Sequence, residues 1–202
     1  ISLGGGMPNP STFPFDSIRV TLSSSATTTS STDSKSGKEF ELKGQALEDI
    51  LQYSGTRGIN TLLPHLFDLQ SSEHGRVQPK PFEICVTTGS QDALSKAFDL
   101  FTGAGVDESP MLVEEPTYSG SLAYLQPTGT RLVGVKCDGD GLIPESLESI
   151  LRNWETDQPN NHPRPKVLYT IPTGSNPTGA SLSVERKRKI YSIASEFNLL
   201  IL

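Results

Sequence analysis

Cysteine is scarce. Cys85 and Cys137 are the only two among 202 residues, far apart in the chain, with no CxxC and no histidine at ligand spacing. That excludes a disulfide framework, gives no support to a metal site and points to a reducing, intracellular compartment. Basic residues are not in excess either: 17 Lys and Arg against 23 Asp and Glu leave a formal net charge of −6, so nucleic acid is not an expected partner. No run approaches the roughly 18 consecutive apolar residues of a membrane span, and no basic segment followed by an apolar stretch opens the chain. The sequence therefore reads as soluble, with no membrane partner. The expected localisation is cytoplasmic, with the mitochondrial matrix as the alternative. The histidines His65, His74 and His162 are scattered, and neither GxSxG nor GxxxxGK(S/T) occurs, which leaves a catalytic triad, a metal cluster and a P-loop without support.

Glycine and proline, by contrast, are plentiful, at 18 and 15 residues. Twelve of the sixteen positions from Thr21 to Ser36 are Ser or Thr, a tract that cannot build a core and reads as a flexible surface insertion. The chain opens on Ile1 and stops inside the apolar run Leu199-Leu200-Ile201-Leu202, so a piece of a longer protein is expected.

The coarse pattern divides near residue 80. Residues 1–79 read as an N-terminal arm with helices, one around Ala46, Leu47, Ile50 and Leu51, a second including Ile59, Leu62, Leu63, Leu66 and Phe67. Residues 80–202 alternate short apolar runs with helical periods. Strands are expected at Ile84–Thr88, Met111–Glu114, Leu132–Val135, Val167–Ile171 and from Leu199. Helices are expected from Ser90 through Phe101, around Ser121 to Leu125, from Pro144 to Trp154 and from Ser183 to Phe197. This alternation predicts an α/β fold, a three-layer α/β/α sandwich around a mostly parallel central sheet.

In such sheets ligands bind beyond the carboxyl ends of the strands. Three of the loops there carry unusual residues. Thr88-Gly89-Ser90-Gln91 stands at a helix start, where backbone N–H groups, the helix dipole and a hydroxyl can meet an anion, although Ser90 is also what a plain cap requires. Glu115-Pro116-Thr117-Tyr118-Ser119-Gly120 offers an aromatic ring, which packing alone would also explain. Pro172-Thr173-Gly174-Ser175-Asn176-Pro177-Thr178-Gly179 holds more turn formers than a simple turn needs. A phosphate seat, an aromatic face and a fixed amide suit a flat, phosphorylated heteroaromatic ligand.

These three loops, in this order, resemble those of the fold-type-I, class I pyridoxal-phosphate aminotransferases. Ser2-Leu3-Gly4-Gly5-Gly6-Met7-Pro8-Asn9 and Leu51-Gln52-Tyr53-Ser54 are similar to the kynurenine/2-aminoadipate and aromatic aminotransferase branch. The resemblance implies a transferase of amino acid metabolism that uses pyridoxal 5'-phosphate, takes amino acid and 2-oxo acid substrates and works as a homodimer. It implies that Ser90 and Gln91, with the Gly89–Ser90 backbone, hold the cofactor phosphate, that Tyr118 stacks on the ring and that Asn176, before a cis proline, donates to the ring's phenolate oxygen. Gly5 would lie against substrate, and Tyr53 would reach the phosphate of the neighbouring subunit's cofactor. The Schiff-base lysine, the acidic residue at the pyridine nitrogen and the substrate-carboxylate arginine are expected beyond Leu202, which leaves no catalytic residue of the family within this chain. Lys38 mimics the family's Ser-x-Lys but precedes the phosphate loop and is set aside as a decoy.

The run Glu185-Arg186-Lys187-Arg188-Lys189 reads as a solvated helix face and Asp138-Gly139-Asp140-Gly141 as a turn, lacking the spacing of a calcium loop. Two other readings compete: a non-catalytic, aminotransferase-like ligand-sensing module, and a generic nucleotide-binding α/β domain. The second would require a glycine-rich phosphate loop, which Thr88-Gly89-Ser90-Gln91 matches poorly.

Overall fold

The computed structural model describes residues 4–23, 39–75, 82–103, 109–157 and 163–202. Lys38, His162 and the Ser/Thr tract beyond its first three positions lie outside them. The chain forms two compact units, Ile1–Thr87 and Thr88–Leu202.

The first unit holds an antiparallel pair, β1 (Ser17–Thr21) and β2 (Glu39–Lys43), which the sequence reading did not anticipate. Its basis is visible in the pairing register. Ile18 faces Leu42 and Val20 faces Phe40 on one side, and Arg19 meets Glu41 at 3.5 Å on the other. Helix α1 (Gln45–Leu51) begins after Gly44 and buries Leu47. Helix α2 (Leu63–His74) begins later than expected: Ile59 and Leu62 form the preceding turn, because Pro64, lacking an N–H, is tolerated only in a first turn. Ile84–Thr88 is not a strand. Among the described residues its backbone is tied by Val86 N–H donating to the Arg57 carbonyl at 2.9 Å, while nearby Phe82 stacks on Phe67. The segment has the composition of a strand but joins no sheet, and a strand exists only through its partner.

The second unit is built on a five-stranded sheet. Helix α3 (Ser90–Thr102) precedes β3 (Met111–Glu115), α4 (Ser119–Leu125), β4 (Leu132–Asp138), β5 (Gly141–Leu142), α5 (Pro144–Arg152), the short α6 (Trp154–Asp157), β6 (Val167–Tyr169), α7 (Val184–Glu196) and β7 (Leu200–Ile201). The strand order is β5-β4-β3-β6-β7, parallel except for β5, which pairs antiparallel with β4. Alternation along the strands sends side chains to two cores. Leu112, Val135 and Leu168 pack with Leu147 and Leu151 of α5 and with Ile190 and Ile193 of α7. Met111, Val113, Val167 and Tyr169 pack on the other face with Phe98 of α3 and Leu125 of α4. Helices thus cover both faces, as the three-layer expectation required, and this is why the strands read as continuous apolar runs.

The basic run on α7 differs from its sequence reading. Arg186 donates to both Asp138 oxygens at 2.6 and 2.8 Å and to the Gly141 carbonyl at 3.3 Å, and Lys189 pairs with Glu145 of α5. The run is therefore more than a solvated face. It clamps α7 to the β4–β5 turn, whose Asp138 serves as an acceptor for arginine. The reason is tertiary: α5 and α7 pack side by side, which brings acidic residues within reach of a helix face that looks unpartnered in sequence.

Candidate functional site

The connection from β3 runs through α4 to β4 on one side of the sheet, and that from β6 runs through α7 to β7 on the other. Adjacent strands whose outgoing chains part in this way open a crevice between their carboxyl ends, the usual ligand site of such sheets. The loops leaving β3 and β6 are the two that carry Tyr118 and Asn176.

Beside them stands the start of α3. Gly89 is its N-cap, with φ +127°, a conformation side chains rarely adopt, and a Cβ built there meets nothing within 4 Å. No side chain caps this helix, so its first-turn N–H groups lack the internal acceptors that later turns have. The one carboxylate in that turn, Asp92, accepts the Thr88 N–H at 3.1 Å and pairs with Lys96. Those contacts, Lys96 first, hold its carboxyl below the usual aspartate range and give it partners of its own at the helix start. Ser90 and Gln91 are exposed at the helix start, and the Gln91 amide donates to the Gly120 carbonyl at 3.3 Å, joining α3 to the loop after β3.

Tyr118 occupies the N-cap position of α4 and folds its ring back over Gly120: a Cβ on Gly120 would lie 2.4 Å from the ring. The residue is half-buried and also packs against the core around Phe98 and Tyr169, and the Ser121 hydroxyl donates to its carbonyl at 2.6 Å. Across the crevice the loop after β6 is held from within. The buried Glu114 carboxylate accepts the Thr170 hydroxyl at 2.6 Å, the Ile171 N–H at 3.3 Å and the Ser175 hydroxyl at 2.9 Å. Gly174 N–H bonds the Ser181 hydroxyl at 2.9 Å, and Ser175 N–H bonds the Ala180 carbonyl at 2.8 Å. Asn176 projects from this pinned loop, exposed, with a cis bond to Pro177; Glu115–Pro116 is cis as well.

The structure thus gathers Gly89, Ser90, Gln91, Tyr118 and Asn176 onto the loops and helix start of one unit. Gly5 and Tyr53 belong to the first unit, where both are exposed. There the Gln52 amide donates to the Pro8 carbonyl at 2.9 Å, linking the two stretches on which the resemblance to the kynurenine/2-aminoadipate branch rests. Sequence reasoning missed Glu114, Thr170 and Ser175. The available signal was a charged residue inside an otherwise apolar strand, which needs hydrogen-bond partners to be buried at all. Among the described residues no group of three His, Cys, Asp or Glu side chains is placed to hold a metal ion, and no helix is long and apolar enough to cross a membrane. Burial pushes the Cys137 thiol up, which disfavours the thiolate.

An α/β sandwich with a crevice of this kind at its topological switch belongs to a class of folds that hosts many ligand-binding enzymes, and comparison with known proteins gives the family. Residues 18–202 match the model for aminotransferase class I and II; the chain belongs to that family. It is 39% identical over 210 residues to the mitochondrial kynurenine/alpha-aminoadipate aminotransferase of Bos taurus, covering all of this chain and 46% of that protein. It is likewise 39% identical over 202 residues to aminotransferase tdiD of Emericella nidulans, covering 43% of that protein. Among solved structures, aminotransferase Aro8 of Candida albicans superposes with a TM-score of 0.83 at 32% identity, over 99% of this chain and 42% of that one. The chain therefore spans about half the length of the curated relatives it matches.

Proposed function

We propose that this chain seats pyridoxal 5'-phosphate, and that the protein carrying it moves amino groups from aromatic or 2-aminoadipate/kynurenine-type amino acids to a 2-oxo acid. The observation that carries the reading is the convergence of an uncapped helix start, a ring folded over a glycine and a pinned Asn-Pro loop at the β3/β6 crevice. The residues fit the group. Gly89 leaves the approach to α3 open, Ser90 and Gln91 add donors to the first-turn amides for a phosphate, and Asp92 is neutralised by Lys96. Tyr118 offers an aromatic face and Asn176 an amide donor for a ring oxygen. When bound, the cofactor supplies the electron sink for chemistry at the amino acid's α-carbon. This chain's residues bind it and fix its plane; none of them is proposed to attach to it covalently.

In this reading Gly5 lies against substrate, Tyr53 serves the cofactor phosphate of a neighbouring subunit, and the working protein is a homodimer. The bovine relative's name supports the kynurenine/2-aminoadipate class, and that of aromatic amino acid aminotransferase C569.07 of Schizosaccharomyces pombe, 31% identical and covered over 43% of its length, supports the aromatic one. Cytoplasmic localisation is the reading kept, with the mitochondrial matrix as the alternative, which the word mitochondrial in the bovine protein's name supports.

The test is titration of the purified full-length protein with pyridoxal phosphate. A visible absorption band should appear and shift on adding kynurenine, 2-aminoadipate or phenylalanine, with 2-oxoglutarate consumed. Protein that stays colourless with excess cofactor refutes the reading, and a band without turnover of any amino acid supports the sensing module instead.

A further inference from the structure

Glu114 lies one residue from the end of β3 and is 3% exposed, in a strand whose other buried members, Met111, Leu112 and Val113, are apolar. A carboxyl group at such a depth is costly unless hydrogen bonds replace its water. Here they come from the segment that leaves the neighbouring strand β6: Thr170 Oγ1 and Ile171 N–H reach Oε1 at 2.6 and 3.3 Å, and Ser175 Oγ reaches Oε2 at 2.9 Å. The three donors are spread over six residues of chain, so one carboxylate spans the crevice and fastens both the root of the loop and its bend. Ser175, itself 5% exposed, immediately precedes Asn176. An apolar residue at 114 would satisfy the strand pattern equally well but could hold none of these donors.

We propose that Glu114 is a positioning residue: through Thr170, Ile171 and Ser175 it locks the loop after β6 to the end of β3 and so fixes the direction of the Asn176 amide toward the cofactor ring. The inference rests on the reading of the preceding subsection. It assigns Glu114 no contact with cofactor or substrate.

The experiment compares Glu114→Gln, Ser175→Ala and Asn176→Ala with wild type in the full-length protein. Glutamine preserves shape but replaces one acceptor oxygen with a donor; Ser175→Ala removes a single bond and serves if Glu114→Gln fails to fold. Two readouts are taken: amide hydrogen exchange at residues 170–176 without cofactor, and the pH midpoint of the visible band with pyridoxal phosphate bound. In Glu114→Gln, exchange in this loop should rise about tenfold, since one of the two oxygens that hold the loop's donors becomes a donor itself and part of the tether is lost. The midpoint should move in the same direction as in Asn176→Ala, and Glu114→Gln should add nothing further once Asn176 is already alanine. A lowered melting temperature with the midpoint unmoved, in Glu114→Gln and Ser175→Ala alike, overturns the proposal while leaving the cofactor reading intact. Wild-type protein without a visible band overturns that reading and the proposal together.

Discussion

Replacing Gly120 with alanine probes the Tyr118 ring directly. The added Cβ would stand 2.4, 2.5 and 2.6 Å from the ring's Cε1, Cζ and hydroxyl oxygen, distances at which one group must move. The ring cannot retreat inward, because the residue also packs against a core containing the buried Phe98 and Tyr169. It must swing outward or push α4 aside, and overpacking of this kind costs about 1–3 kcal/mol. Gly120 also lies inside α4 without a positive φ, so alanine on its own suits the backbone better than glycine, by roughly 0.5–1 kcal/mol. The two effects oppose each other and separate in a double-mutant cycle. Gly120→Ala alone should destabilise the full-length protein, whereas Gly120→Ala in a Tyr118→Ala background should be neutral or stabilising. Urea denaturation of the four proteins gives the coupling, expected at about 2 kcal/mol or more. Pyridoxal phosphate titration should show weaker binding in Gly120→Ala, because the displaced ring no longer presents its face at the crevice. Independent effects, with Gly120→Ala costing the same whether or not Tyr118 is present, would refute the ring placement on which the site is built.

Two further outcomes follow from the clamp and the edge of the sheet. The Asp138 carboxyl is held down at about 2, first by the Arg186 hydrogen bonds and then by the Asp140 N–H. Since its unfolded value is about 3.9, its contribution is fully present above that pH and is lost as pH falls toward 2; Asp138→Asn should flatten acid unfolding in that interval, and an unchanged acid profile would count against the clamp. At the other margin, Leu200 and Ile201 of β7 are 53% and 44% exposed beside the exposed Tyr191 and an open cavity of about 530 Å³, with β6 as the only pairing partner of β7 among the described residues. The 202-residue chain should therefore self-associate through this edge, and Leu200→Lys should reduce it; light scattering on both chains decides, and a monodisperse monomer without the substitution would refute the expectation.

What could be read from the sequence was whatever neighbours along the chain decide. The apolar runs at Met111, Leu132, Val167 and Leu199 and the helical periods between them depend on local spacing, and all became strands and helices of the second unit. The three loops were legible because glycine, proline, serine and asparagine act on the backbone that carries them; the positive φ of Gly89 needs nothing from elsewhere. Tertiary structure decided whatever needs a partner distant in sequence. Ile84–Thr88 has the composition of a strand but joins no sheet, while Ser17–Thr21 and Glu39–Lys43, on either side of a Ser/Thr tract, find each other. Strand order alone placed the crevice between β3 and β6, brought Asp138 to Arg186 and gave Glu114 its donors 56 to 61 residues away. A local pattern can specify an element and the chemistry of its loops, but a hydrogen bond across a sheet exists only when the fold has set the two strands side by side.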